Sequence, residues 1–451
     1  MAVFHDARGY RISTDNALAA AEIFTALENF LHWRADLMPH VKAALAADPA
    51  CGFAQALHGL LLYGTRNAAF RPMVVDSLKA ANAARGAMSA REGRYVDALA
   101  AASAGRITEA VSVYEQILAA DPTDLLAQRL AQFELFWLGE MAWSADISGR
   151  VAPAWNENIP GYSAHLGCRA FDLEETHQFG EAERIGRESV ARDPAEVWGT
   201  HAVAHVLIMQ GRHADGIAWL DGLKDNWAMA NQMSLHLWWH RCLFHLERGE
   251  TDAALAIYDA WVRNRDLPVL KGMPDLYIDM QNGASMLIRL ELRGIDVGDR
   301  WDELAELTLK RLDDHSSPFT SAHYVAILAA AGHFAEAETA IASMTTFAHA
   351  DDGTLGPVYL AAGIPAAKAA LAHRKGDHEA VIRHLLPARR ALWRMGGSHA
   401  QRDLFFILLV DSASKLDRRD ILSIALADIA GAGFVDVPGR VAYRDAAAAL
   451  A

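Results

Sequence analysis

Four histidines sit as two pairs, His201 and His205 in THAVAH and His236 and His240 in HLWWH. The i, i+4 spacing puts both imidazoles of a pair on one helix face. Imidazole titrates near pH 6.5, so four together can exchange hydrogen bonds, move protons as general acid or base, or ligate zinc, iron or manganese. The first pair reads HAVAH, with no glutamate inside it to act as the base of an HExxH site. The chemistry expected is binding, with or without turnover, of a small polar molecule. A divalent metal held by the same four imidazoles is the alternative occupant.

His201 and His205 lie 10 and 6 residues before Gly211; His236 and His240 lie 13 and 9 before Gly249. Glu174 and His177 lie 6 and 3 before Gly180, and His323 lies 9 before Gly332. At about 100° per residue these offsets share an arc of about 120°. Val203, Leu207, Trp238 and Cys242 fall on the other side, the face that packs on a partner helix. Trp239 and Leu243 share the histidine arc and supply an apolar wall. The arc corresponds to the solvent-facing concave groove of a helical-repeat array, where helices about 8–10 Å apart converge on one ligand. Glu174 is placed to orient an imidazole. On this placement, removing His205 and His240 weakens binding and leaves stability nearly intact. His245 falls on the packing side as a core histidine, and Trp198, Trp219 and Trp261 are assigned to the core. His213, His333 and His378 follow turn glycines and read as turn or cap residues.

A second group is MGGSHAQRD at 395–403. Ser398 and Gln401 have capping-box spacing, which leaves His399 and Arg402 unexplained on one helix face. The Gly396-Gly397 pair permits a sharp approach, so this C-terminal helix is expected to close the far side of the histidine cavity. Glu174, Asp279 or a ligand carboxylate is the acceptor expected for Arg402.

The elements that must position these residues are helical hairpins. A phrase of glycine, one or two polar residues and Glu-Ala or Asp-Ala recurs, most clearly in AGRITEAVSVYEQILAADP at 104–122. The expected turn glycines are Gly105, Gly139, Gly180, Gly211, Gly249, Gly294, Gly332 and Gly376; their unequal steps include one of 34 residues, the tetratricopeptide period. Period-2 segments are sparse. The expected fold is all-α, an irregular tetratricopeptide-like hairpin solenoid wound as a right-handed superhelix, with no sheet of three or more strands. It divides into an N-terminal helical cap (1–88), a repeat array (89–395) and C-terminal helices closing the groove (396–451). Residues 146–163, with two prolines, are the longest expected irregular loop.

Three segments, WGTHAVAHVLIMQGRHADGIAWL, HLWWHRCLFHLERGETDAALAIYD and MGGSHAQRDLFF, resemble the tetratricopeptide repeat protein 38 family in order. The resemblance runs from about residue 10 to 450, starting with Asp-Ala-Arg-Gly near the N-terminus. It implies a helical-repeat fold and a cytoplasmic protein, and carries no reaction or partner with it.

Composition narrows the partners. The formal charge of −14 argues against nucleic acid or an anionic membrane surface. No apolar run reaches the ~18 residues of a membrane span, and the N-terminus lacks a signal-peptide pattern. Three scattered cysteines carry no thiolate zinc spacing and fit a reduced compartment. GxSxG and phosphate-cradling glycine loops are absent. The rival to a small-molecule site is a peptide-binding or protein-binding adaptor without catalysis. Its carboxylate clamps want Lys, Arg and Asn where this chain has His, Glu, Trp and Leu. Homo-oligomer formation and turnover are left open by the residues.

Overall fold

The structure, a computed structural model, describes residues 3–451. Helices take up 73% of the chain. Among the described residues the only sheet is the two-residue pairing of Phe4–His5 with Arg11–Ile12, so the class is all-α. Consecutive helices pack as hairpins: eight span residues 90–388, two precede them and one follows. The chain is a helical-hairpin solenoid. No described helix is long and apolar enough to cross a membrane.

Each hairpin divides its labour in a way the residue pattern dictates. Second helices are amphipathic; Phe179–Arg192 buries Ala182, Ile185, Gly186, Ser189 and Val190 at i, i+3, i+4, i+7 and i+8. Several first helices are apolar all round and therefore belong inside. Val197–Met209 is buried at every position and Pro318–Ala330 at all but the last.

The concave face is consequently filled, which corrects the expectation of a solvent-lined groove. The C-terminal helix His399–Lys415 packs on both Val197–Met209 and Tyr277–Glu291. From the N-terminal side Trp33 stacks on Trp198 at 4.9 Å, and Trp33 O accepts from Asn231 N at 2.6 Å. Two left-handed glycines, Gly396 and Gly397, turn the chain into the C-terminal helix. Gly396 has φ 80° and ψ −165°, a region essentially reserved for glycine, and a Cβ there would stand 2.6 Å from the Trp137 backbone. Gly396→Ala is expected to destabilise the fold by about 2–3 kcal/mol in urea unfolding, from backbone strain plus overpacking.

Other expectations shift locally. Seven of the eight turn glycines take positive φ, whereas Gly180 does not; His177, at φ 63°, makes that turn instead. Residues 146–163 are not one loop, because the helix Met141–Val151 continues into a turn at Ala152–Ala154 whose Pro153 needs no amide partner. Trp261 is 40% exposed and stacks on Trp238 at 4.8 Å, outside the core. Trp219 is half-buried, donating Nε1–H to Thr200 O. His245 is a half-buried partner of Glu250 at 2.7 Å, not a core residue.

Candidate metal centre

His201 and His205 project from Val197–Met209, and His236 and His240 from Met233–Glu247. Inner helices of successive hairpins lie side by side, so the two pairs, edge to face within each, meet across the helix contact. His201 Nε2 stands 2.9 Å from His205 Nε2 and 3.0 Å from His236 Nε2, and His236 Nε2 stands 3.2 Å from His240 Nε2. One nitrogen from each imidazole lies within 4.8 Å of the other three. All four side chains are buried. Aromatic rings wall them in: Phe171 stacks on His201 at 5.3 Å, Trp198 lies 4.7 Å from the same ring, and Trp239 stacks on His236 at 5.2 Å.

Two of the outward nitrogens face oxygen. His205 Nδ1 lies 3.3 Å from Glu174 Oε2 and 3.8 Å from Glu175 Oε1. His236 Nδ1 lies 3.2 Å from Asn282 Oδ1. His201 Nδ1, His205 Nδ1 and His240 Nδ1 have no hydrogen-bond partner, and neither oxygen of the buried Glu174 accepts a hydrogen bond.

Burial sets the charge states. It lowers His205 to about 4 and His236 to about 3, and takes His201 and His240 well below the ordinary range, helped by the neighbouring imidazoles. All four are neutral at pH 7 with lone pairs to give. Glu174 is raised well above the usual carboxylate range, by burial first and then by Glu175.

Two explanations of the convergence can be compared. Hydrogen bonding among four neutral imidazoles needs an N–H facing a lone pair at each contact. Alternating tautomers along the chain 205–201–236–240 puts N–H on only two of the four Nε2 atoms, for three contacts. One close contact is then left without its own proton. A cation satisfies all four lone pairs at once. Nitrogens about 2.0–2.1 Å from zinc stand about 3.3–3.4 Å apart in a tetrahedron and about 2.9 Å apart at adjacent corners of a square. The observed 2.9–3.2 Å falls close to that range. Ligation through Nε2 also fixes every Nδ1 as a donor; His236 then has the Asn282 amide oxygen as its outer partner, and the Glu174 carboxyl stands 3.3 Å from His205 Nδ1.

The remaining residues named from sequence divide. Glu174 and Trp239 belong to the cluster's surround. His399 and Arg402 approach it through Glu175: Arg402 Nη2 lies 3.6 Å from Glu175 Oε2, which makes Glu175 its ion-pair partner, while the guanidinium's hydrogen bonds go to Gly397 O and His399 Nδ1. The capping box of Ser398 and Gln401 forms as the spacing requires. His177 is exposed and meets His399, Nε2 to Nε2, at 3.1 Å. His323 stays apart, donating Nδ1–H to Phe319 O at 2.8 Å between the rings of Phe319 and Phe405. Asp279 does not receive Arg402; it is fully buried with both oxygens unpartnered and is raised to about 8 by burial. Glu175, Asn282 and Phe171 were not among the residues singled out by spacing.

These shifts give a pH dependence for the metal-free protein. Burial depresses thirteen imidazoles, of which the most deeply buried are those of His165, His201, His205, His236, His240, His323 and His399. Each contributes stability that is full above the unfolded value of about 6.5 and is lost as pH falls toward the folded one. Four carboxyls raised by burial, Asp172, Glu174, Glu196 and Asp279, act oppositely: their stability is full below about 4 and is lost as pH rises through the folded values. The histidines outnumber them, so between about pH 6.5 and 5 the melting temperature in chelator is expected to fall with acid, at about 1.4 kcal/mol per pH unit for each net proton. Above pH 7 it is expected to decline gently. Scanning calorimetry across pH 5–8 checks both limbs.

No family model matches the chain. Among solved structures, a monomeric mutant of IFIT1 with Gppp-AAAA aligns over 97% of this chain and 96% of its own, at 15% identity and a TM-score of 0.42. Naa15/Naa10 bound to HypK-THB aligns over 92% and 63%, at 12% identity and 0.25. The P58(IPK) TPR domain aligns over 65% and 81%, at 14% identity and 0.19. None reaches a TM-score of 0.5, and the fold rests on the hairpins themselves.

Proposed function

We propose that this chain is a metalloprotein in which His201, His205, His236 and His240 hold one divalent transition-metal ion inside a helical-hairpin solenoid. The observation that carries the reading is the convergence of four buried, neutral imidazole nitrogens at 2.9–3.2 Å, with Glu174 and Asn282 oxygens behind two of them. An all-nitrogen donor set selects zinc, copper, nickel or iron over magnesium and calcium, which want oxygen. The ion ties two successive hairpins together, with the Glu174 carboxyl 3.3 Å behind the His205 ligand. The small polar ligand expected of an open groove is replaced by the ion itself, since the imidazoles already touch. The ordered likeness to the tetratricopeptide repeat protein 38 family supports the repeat reading and adds no activity to it.

Elemental analysis of purified protein is the test. About one transition-metal ion per chain is expected, retained through desalting and restored after chelation by added zinc or cobalt. A chain that holds no ion, and takes up none from an excess of either metal, overturns the reading.

A further inference from the structure

The histidine cluster is sealed by rings, and an ion must still reach it. One side of the shell is polar. From the exposed His177, donor atoms follow one another inward: His399 Nε2 at 3.1 Å from His177 Nε2, then Glu175 Oε2 at 3.7 Å from His399, then His205 at 3.8 Å from Glu175 Oε1. Exposure falls along the same sequence, with the His399 side chain 13% exposed and Glu175 only 1%. Glu175's backbone carbonyl adds a further oxygen 3.3 Å from His399 Nε2.

His177 also holds a backbone conformation that seven other turns of the array assign to glycine. A left-handed residue with a Cβ is disfavoured, so the turn is less stable with histidine than with glycine. Its imidazole makes its polar contact with His399, beside the Phe179 ring at 5.9 Å and against Gly433.

We propose that His177, His399 and Glu175 form the loading station through which the metal ion passes between solvent and the buried histidines. An arriving cation is caught between the two Nε2 atoms, whose 3.1 Å separation suits adjacent positions on one metal. It then competes with Arg402 for Glu175, and the freed carboxylate carries it to the Glu174 and His205 side of the cluster. No bond in the protein is made or broken beyond metal–ligand exchange. The proposal rests on the metal reading of the four histidines.

His177→Gly and His399→Ala test it, with cobalt(II) as the probe and its absorption as the readout. A residue on the route lowers the barrier in both directions, so its loss slows uptake and release by the same factor and leaves affinity unchanged. Each variant is expected to slow both about tenfold or more, equivalent to about 1.4 kcal/mol of barrier, with one ion still bound at equilibrium. His177→Gly relieves the turn and is expected to fold at least as well as the parent, which separates the route from stability. Uptake and release at parental rates in both variants overturn the loading station and leave the metal site standing, as does faster release with unchanged uptake. A parent protein that takes up no cobalt overturns both.

Discussion

Stripping the metal is expected to lower the stability of the parent protein by about 4 kcal/mol when free ion had stood a thousandfold above its dissociation constant. For a chain of this length that is a fall of roughly 4 °C in melting temperature. The His205→Ala, His240→Ala double variant is expected to melt at one temperature with or without chelator, because two of four ligands are gone. It should also lie below the stripped parent. Both imidazoles are buried against aromatic rings, and truncating them leaves a cavity worth about 2–4 kcal/mol. This reverses the outcome expected of groove side chains, which would cost little. Equal melting of the parent with and without chelator would remove the ion from the account of stability.

Arg402→Ala is the second large effect. Glu174 and Glu175 are adjacent, both buried, and Arg402 is the cation beside them. Removing the guanidinium leaves the buried Glu175 without its counter-charge beside the Glu174 carboxyl, which is expected to destabilise metal-free protein by about 3–5 kcal/mol. Adding Glu175→Gln to Arg402→Ala removes the stranded charge and is expected to recover most of that loss. With metal bound the cost of Arg402→Ala should shrink, since the ion supplies positive charge to the same carboxylates. Urea unfolding of the two single variants and the double, with and without metal, measures all of this. A loss below about 1 kcal/mol in chelator would show that the glutamates share a proton and do not depend on the arginine.

The histidine site was legible because i, i+4 spacing is local and two helices of one array share a register. Its surround was less so, for identifiable reasons. Glu175 was missed because its helix was counted from Gly180. Counted from His177, the residue that makes the turn, Glu175 sits at about 200° on the wheel, inside the arc the histidines occupy. A histidine in a glycine's place hid the register. Asn282 comes from a third inner helix, Tyr277–Glu291, at an offset of 12 residues from Gly294 that lies outside the arc. Successive inner helices lie side by side here too, but the contact falls on the flank of the arc, outside the offsets the histidines share.

Closure of the array was half legible. Gly396-Gly397 and the unexplained His399 and Arg402 indicated that the C-terminal helix turns inward, and it does so through Glu175. That the interior would be packed solid was written in Val197–Met209, which has no polar face apart from its histidines. The arc put the histidines of both helices on one side, where they converge; the helix's uniform apolarity meant that side could not be wet.

X-ray absorption at the metal edge of the purified, metal-loaded protein addresses the four-histidine centre most directly. The result expected is a first shell of four nitrogens at about 2.0–2.1 Å with the outer-ring scattering of imidazole, lost in the His205→Ala, His240→Ala variant. A first shell dominated by oxygen or sulfur, or an imidazole signal unchanged in that variant, would contradict it.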